Sequence, residues 1–248
     1  MFIVLAFRQV CFSKDTKFLK QFYRYLLFLK RTYSLALPGN LKHRCSVILT
    51  FDHASIDFYS HIFPFLQEHD IPAIVGIAWR YVANNSASSL PLDHRLAPSN
   101  ALAFQDEIFA SHQPFCSQEE LKIIAESPNI QLASSGFAIR NLQHSPPYLA
   151  TEIFLSKFSI KTALGKTPIG FFYPFGKYDF PSTRMVKKHY PFSFILGDTI
   201  NKNNKRHNIY RIDIKFSNYT LPKLLLKPKY LKNWIIDRYQ QMRIQKCL

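Results

Sequence analysis

The chain has 248 residues, 47% of them apolar and 15% aromatic, and carries 32 Lys+Arg against 16 Asp+Glu for a formal charge of +16. That length suits one α/β domain or two small ones, and the apolar fraction excludes a disordered or low-complexity chain. The charge favours anionic partners (nucleic acid, anionic lipid, an acidic polymer), or it marks only a basic solvated surface.

The chain opens on "MFIVLAFRQVCF". No basic region precedes this run, no small-residue cleavage site follows it, and Phe2 to Phe7 is too short to span a membrane. It reads as a buried strand, and the expected location is cytoplasmic or membrane-peripheral. Next, "DTKFLKQFYRYLLFLKRTY" places Phe18, Phe22, Tyr25, Leu26 and Leu29 on one stripe, so a helix is expected with Asp15 or Thr16 as its N-cap. "CSVILTF" and "IPAIVGIAW" are short continuous apolar runs, as in strands covered on both faces. A helix over 57–69 lies between them, with Asp57 as its expected N-cap. This strand–helix–strand rhythm argues for parallel βαβ units.

Residues 80–116 break the rhythm with a polar, Pro-containing excursion, and long loops of this kind are often functional. Ser117 and Glu120 then form a capping box at the start of "SQEELKIIAESP". "NIQLASS" is a strand, "PPYLATEIFLSKFSIKTALG" a helix opened by Pro and closed by Gly165, and "TPIGFFYPFG" a strand ending in a turn. "STRMVKKHY" is a helix, and "FSFIL" and "IYRIDI" are strands. Residues 229–248 read as a basic amphipathic helix with Leu231, Trp234, Ile235 and Met242 on its apolar stripe, which either docks on the domain or lies on an anionic membrane surface. Cys11, Cys45, Cys116 and Cys247 are far apart without C-x-x-C spacing, so they form no zinc site and suit reduced thiols. No helix-turn-helix, RNA-binding strand motif or zinc finger appears, so nucleic acid is not an expected partner.

In parallel sheets, chemistry sits at the carboxyl ends of strands. Three such ends stand out: Asp52-His53, Ser134-Ser135, and Tyr173-Pro174-Phe175-Gly176. In this order they resemble the polysaccharide deacetylase family (the NodB-homology domain, carbohydrate esterase family 4), in the branch similar to poly-N-acetylglucosamine deacetylases. "VILTFDH" resembles the family's first motif, normally T-F-D-D. "FCSQEELKIIAESPNIQLASSGFAIRNL" resembles the segment that leads into the second, normally S-H-x-x-x-H. "GFFYPFGKYD" is similar to the third, in its Y-P-[YF]-G form. Phe7-Arg8 stands where that branch carries Tyr-His.

The resemblance implies a distorted (β/α) barrel of about seven strands over residues 1–228. It also implies metal-assisted hydrolysis of the N-acetyl amide of a hexosamine polymer, with zinc as the usual metal. On that reading Asp52 is the general base, and Phe175 gives its main-chain N–H to the oxyanion. Tyr173, Pro174 and Ser135 are expected to touch substrate, and His53 falls on the metal-binding second aspartate. Ser135 and Ile139 fall on the two metal histidines, and Phe172 falls where many members carry an arginine that orients the base. Catalytic zinc takes three protein ligands. Here one good ligand is offered, so zinc is expected to be weak or absent. The expected function is a degenerate or metal-altered deacetylase; the alternative is a non-catalytic glycan- or partner-binding module. Two further possibilities are a relocated metal site on His53, Asp57 and His61, with His94, His112 or His144 lending a ligand, and a metal-free Ser135–His53–Asp52 relay.

Overall fold

The structure, a computed structural model, describes residues 1–13, 15–41, 46–202, 204–214, 230, 232, 233 and 235. Its centre is a parallel sheet of β1 (Phe2–Phe7), β2 (Ser34–Leu35), β3 (Ser46–Phe51), β4 (Ala73–Ile77), β5 (Ile130–Ser134), β6 (Gly170–Phe172), β7 (Phe192–Leu196) and β8 (Ile209–Asp213). The order is β1-β8-β7-β6-β5-β4-β3-β2, and β1 also pairs with β3, Phe2 opposite Ser46 through Phe7 opposite Phe51. That pairing closes seven strands into a barrel and leaves the two-residue β2 as an appendage on β3.

Alternation along the closed strands sorts their side chains into two layers. Phe2, Val4, Ile48, Ile74, Ala133, Phe172, Phe194 and Ile209 pack together as one buried cluster, the lumen. Ile3, Leu5, Phe7, Val47, Leu49, Phe51 and Val75 pack with the helices outside. This double burial is why β1, β3 and β4 read as unbroken apolar runs.

The first helix, α1 (Thr16–Thr32), buries Phe22, Tyr25, Leu26 and Leu29 against that outer layer, and each burial contributes roughly 2 kcal/mol. Asp15 caps it, accepting from Lys17 N at 2.8 Å. Asp57, in contrast, does not cap the helix that follows it. Its backbone is already helical, and a π-turn over Phe58–Ile62 precedes α2 (Phe63–Glu68). Its carboxylate instead accepts from Phe12 N and, at 2.8 Å, from Ser13 N, which pins the loop after β1. The local pattern at Asp57 suits a cap, but a long-range backbone donor takes the side chain.

The 80–116 excursion is folded rather than open. It contains three short 3-10 turns, α3 (Leu92–Arg95) and α4 (Asp106–His112). Buried Arg95 holds it to α5 (Gln118–Glu126), pairing with both oxygens of Glu120 at 2.6 and 3.1 Å. Glu120 is also the third residue of the expected capping box, receiving Ser117 N at 2.7 Å. Asn100 Oδ1 accepts from Val10 N and Cys11 N, tying the excursion to the end of β1.

Residues 146–164 form one continuous element: a 3-10 turn, a π-turn over Ala150–Leu155, then α6 (Ser156–Leu164), closed by Gly165 at φ 66°. The last described helix of the barrel is α7 (Phe180–His189). No described helix is long and apolar enough to cross a membrane. Of segment 229–248, Tyr230 is buried in the main core and Asn233 Nδ2 donates to Asp198 O at 2.9 Å. The basic face expected there, its stripe positions Leu231, Trp234 and Met242, and Cys45 and Cys247 lie outside the described residues.

Candidate active site

The mouth of the lumen is built from the last inward position of each strand. On β3, Ile48 and Thr50 point inward, so the next inward residue is Asp52. Asp52 N donates to Phe7 O at 3.0 Å, carrying the β1–β3 ladder one step past the strand and fixing the carboxylate at the opening. On β8 the same parity brings Arg211 inward, with only 1% of its surface exposed. Its two Nη atoms meet the two Asp52 oxygens, Nη1 on Oδ1 and Nη2 on Oδ2 at 3.3 Å. The guanidinium carbon lies over the Phe172 ring, 4.1 Å from its centroid.

Phe172, where the resemblance implies an arginine, is instead covered by an arginine from β8. Arg8, at the end of β1, adds a second cation, its Nε 3.6 Å from Asp52 Oδ2 and its Nη1 3.3 Å from Asp213 Oδ2. Asp52 thus sits in a chain of alternating charges, Arg211–Asp52–Arg8–Asp213.

Ser135 lies on the neighbouring strand end, as expected. Its N–H donates to Ile77 O at 2.8 Å and its Oγ to the Asp52 carbonyl at 3.0 Å. That hydroxyl bond crosses directly over Gly76. A Cβ there would stand 2.7 Å from Asp52 O and 2.8 Å from the Phe172 ring, and would also strike Ser135 Oγ. Because the Ser135 hydroxyl is given to a carbonyl and not to an imidazole, the Ser135–His53–Asp52 relay is not assembled.

His53 turns to the excursion instead. Its ring meets Phe104 at 4.8 Å and Phe115 at 6.4 Å between centroids. Burial drives its pKa down to about 4, with Asp52 opposing that shift and Arg8 and Arg211 adding to it, so the imidazole is neutral at pH 7. Tyr81 and Phe109 complete this aromatic wall.

The third motif forms the opposite rim. Phe175 is in the left-handed region (φ 57°, ψ 7°) and 59% exposed. Pro174 is buried beside it. Tyr173 is 1% exposed, with its ring against Phe171 and Tyr178 and its hydroxyl pushed up to about 12 by burial. Tyr173 thus borders the cleft while its ring is packed in the core beside it.

Ile139 is also left-handed, at φ 56°, an unusual state for a β-branched residue. The loop that carries it is gripped from below by Glu152, a buried carboxylate on the Ala150–Leu155 π-turn. Glu152 accepts from Ala138 N at 3.0 and 3.2 Å and from Arg140 N at 3.4 Å. Burial raises its pKa, and these N–H donors oppose the rise.

Asp52, His53, Ser135, Ile139, Tyr173, Pro174 and Phe175 all border one cleft of about 640 Å³, together with Arg8, Arg211 and Asp213. The residues do not fit the zinc centre that the fold implies. Of the three positions that the resemblance implies for ligands, one holds an imidazole packed in an aromatic wall, one a hydroxyl already engaged, and one a hydrocarbon. Among the described residues no group of three or more His, Cys, Asp or Glu could hold a metal. His61 Nδ1 lies 2.9 Å from Asp57 Oδ1, but that pair gathers no third ligand.

Sequence reasoning missed Arg211, Arg8 as a partner of Asp52, and Glu152. The available signal for Arg211 was an arginine at the middle of "IYRID": an inward charge in a buried strand requires an opposite charge.

Comparisons with known proteins agree with this geometry. The chain resembles the deacetylase PplD of Streptococcus pyogenes, solved with acetate, at 17% identity and a TM-score of 0.65 over 86% of this chain and 92% of that one. It resembles IcaB of Ammonifex degensii at 14% and 0.66, over 88% and 93% of the two chains. A de-N-acetylase of Aggregatibacter actinomycetemcomitans gives 16% and 0.63, over 90% and 99%. At these identities the likeness carries the fold, a NodB-type (β/α) barrel. No curated protein sequence matches. The sequence profile described as polysaccharide deacetylase, whose members are generally metal-dependent, matches residues 40–191, a span that runs from β3 through α7. With more than half its length in that profile and the barrel to match, the chain belongs to the polysaccharide deacetylase family.

Proposed function

We propose that this chain is a degenerate polysaccharide deacetylase, one that keeps a cleft for an N-acetylated glycan and lacks the family's metal-assisted hydrolysis. The observation that carries this reading is the occupancy of the three ligand positions by His53, Ser135 and Ile139. Zinc held by one imidazole has lost most of its binding free energy, since a catalytic site draws on three protein ligands. The cation beside Asp52 is instead a pair of guanidiniums. Arg211 holds Asp52 in place, and Arg8, part-exposed in the cleft, offers N–H donors to an amide carbonyl. In this reading Phe175 presents its main-chain N–H at the opposite rim, Pro174 and Ser135 shape the floor, and the aromatic wall around Phe104 faces the sugar.

The test is a titration with chito-oligosaccharides beside an assay for released acetate, with zinc, cobalt, nickel or iron added in turn. Binding without acetate is expected. Acetate release that a chelator abolishes and Asp52→Asn also removes would overturn the degenerate assignment, because a working metal centre would then exist. Absence of any binding would remove the glycan cleft itself. A repair variant checks the register. His53→Asp, Ser135→His and Ile139→His together should give near-stoichiometric zinc by elemental analysis. A folded triple variant without zinc would mean that the second motif is misaligned.

A further inference from the structure

The outer face of the Ala150–Leu155 π-turn and α6, on the side of the barrel, carries an exposed apolar ridge flanked by basic residues. Phe154 and Phe158, one turn apart, stack with ring planes 21° apart and centroids at 6.4 Å, and they are 51% and 55% exposed. Leu155, also exposed, lies beside them. Phenylalanines on a helix that packs on a barrel normally face inward; here Ile153, Ser156 and Ile160 take the inward positions. The ridge continues onto α7, where His189 meets Phe154 at 5.5 Å between ring centroids and the Lys157 ammonium donates to the His189 carbonyl, locking the two helices together.

The charge along this ridge and α7 is mostly positive, while the neighbouring α5 carries exposed Glu119 and Glu126. From Glu152 to Asp198 the sequence holds seven basic residues (Lys157, Lys161, Lys166, Lys177, Arg184, Lys187, Lys188) and three acidic ones, Glu152, Asp179 and Asp198, of which Glu152 is buried. Asp179 is spent as the N-cap of α7. Lys161 follows Phe158 by one turn, and Lys187 and Lys188 adjoin His189; all three are exposed. A cationic field excludes a basic partner, and exposed phenyl rings gain nothing from a purely polar polyanion. Both features are satisfied by one environment, the headgroup region of an anionic bilayer. There phenyl rings enter the acyl boundary while lysines stay at the phosphates.

We propose that the α6–α7 face is a docking site for an anionic phospholipid membrane, with Phe154, Leu155 and Phe158 as the inserting ridge and Lys161, Lys187 and Lys188 as the electrostatic rim. The chain lies on the surface through this face and does not cross it. The proposal is independent of what the cleft binds.

The experiment is flotation of the full chain with vesicles of phosphatidylcholine alone or with about a third phosphatidylglycerol, at low and at high salt. The expected result is binding to the mixed vesicles that is at least tenfold stronger than to phosphatidylcholine alone and that weakens in salt. Phe154→Ser/Phe158→Ser and Lys161→Glu/Lys188→Glu should each reduce it tenfold. Lys17→Glu/Lys20→Glu, the same charge change on exposed positions of α1, should leave it unchanged. Chito-oligosaccharide binding should be unaltered in all three, which separates this face from the cleft. The proposal is overturned if the wild type does not float, if the phenylalanine variant floats equally well, or if the α1 variant loses as much as the α6–α7 variant. It is equally overturned if the ridge variant converts a sedimenting dimer to a monomer without vesicle binding, since the ridge would then be an interface between copies.

Discussion

Replacing Arg211 by methionine measures how far the candidate site depends on one buried ion pair. Methionine keeps an unbranched apolar stem and removes the guanidinium, and with it that group's contact with Phe172, so the change removes the charge and the group that carries it. It leaves Asp52 with Arg8 alone, whose Nε is 3.6 Å away and whose side chain is 39% exposed. Removing one partner of a fully buried pair costs about 3–5 kcal/mol. The Asp52 side chain is 11% exposed at the cleft and keeps Arg8, so the low end applies, about 3 kcal/mol. Asp52→Asn leaves the guanidinium with a neutral acceptor and should cost ~2 kcal/mol. If the pair is the cause, the double variant should be more stable than the sum of the singles predicts, by ~2 kcal/mol. Urea unfolding of the four proteins, with unchanged m-values, gives each number. A loss below ~1 kcal/mol for Arg211→Met, or strict additivity in the double variant, would refute the reasoning.

Gly76→Ala should drive the Ser135 hydroxyl off the Asp52 carbonyl and crowd Phe172. Overpacking and one lost hydrogen bond together amount to about 3 kcal/mol, a Tm fall of roughly 6–12 °C in a thermal scan; an unchanged Tm would contradict the contact geometry. Ile139→Asn should stabilise by about 1 kcal/mol, because asparagine tolerates the left-handed backbone that a β-branched residue resists, and chemical denaturation reads the sign. His53 stays neutral in the folded chain down to about pH 4, whereas the unfolded chain takes up the proton near 6.5. Stability from this group is therefore complete above pH 6.5 and lost as pH falls from 6.5 towards 4. His53→Phe should flatten that slope, and an imidazole NMR titration with a midpoint near 6.5 would disprove the burial argument.

What the sequence made legible was whatever local chemistry determines. Continuous apolar runs gave the strands, the stripe from Phe18 to Leu29 gave α1, and Ser117 with Glu120 gave the start of α5. Each depends on residues within a few positions of one another. The three strand ends could be named because parallel sheets place their chemistry there. Partnerships across the fold were not legible. Asp52 and Arg211 are separated by 159 positions and Ser135 and Asp52 by 83, and no periodicity encodes which inward residues will face each other. Asp57 was misread for the same reason, its carboxylate taken by backbone donors some 45 positions earlier in the chain. The excursion looked like loop because its helices are short and its anchor, Arg95, carries a residue type normally found at the surface. The left-handed backbone at Ile139 and Phe175 runs against residue preference, so it appears only where the surrounding packing imposes it.

The closing strand has a further consequence. Among the described residues β8 is the last strand in chain order and the one that joins β7 to β1. A chain emerging from the ribosome as far as β7 has both of those edges bare and an acidic group on β3 awaiting its counter-cation. The seam and the charge are satisfied in a single late event, the arrival of "IYRID". The cleft is therefore complete only once β8 has been made, and any fragment that stops short of residue 209 is exposed to edge-to-edge association.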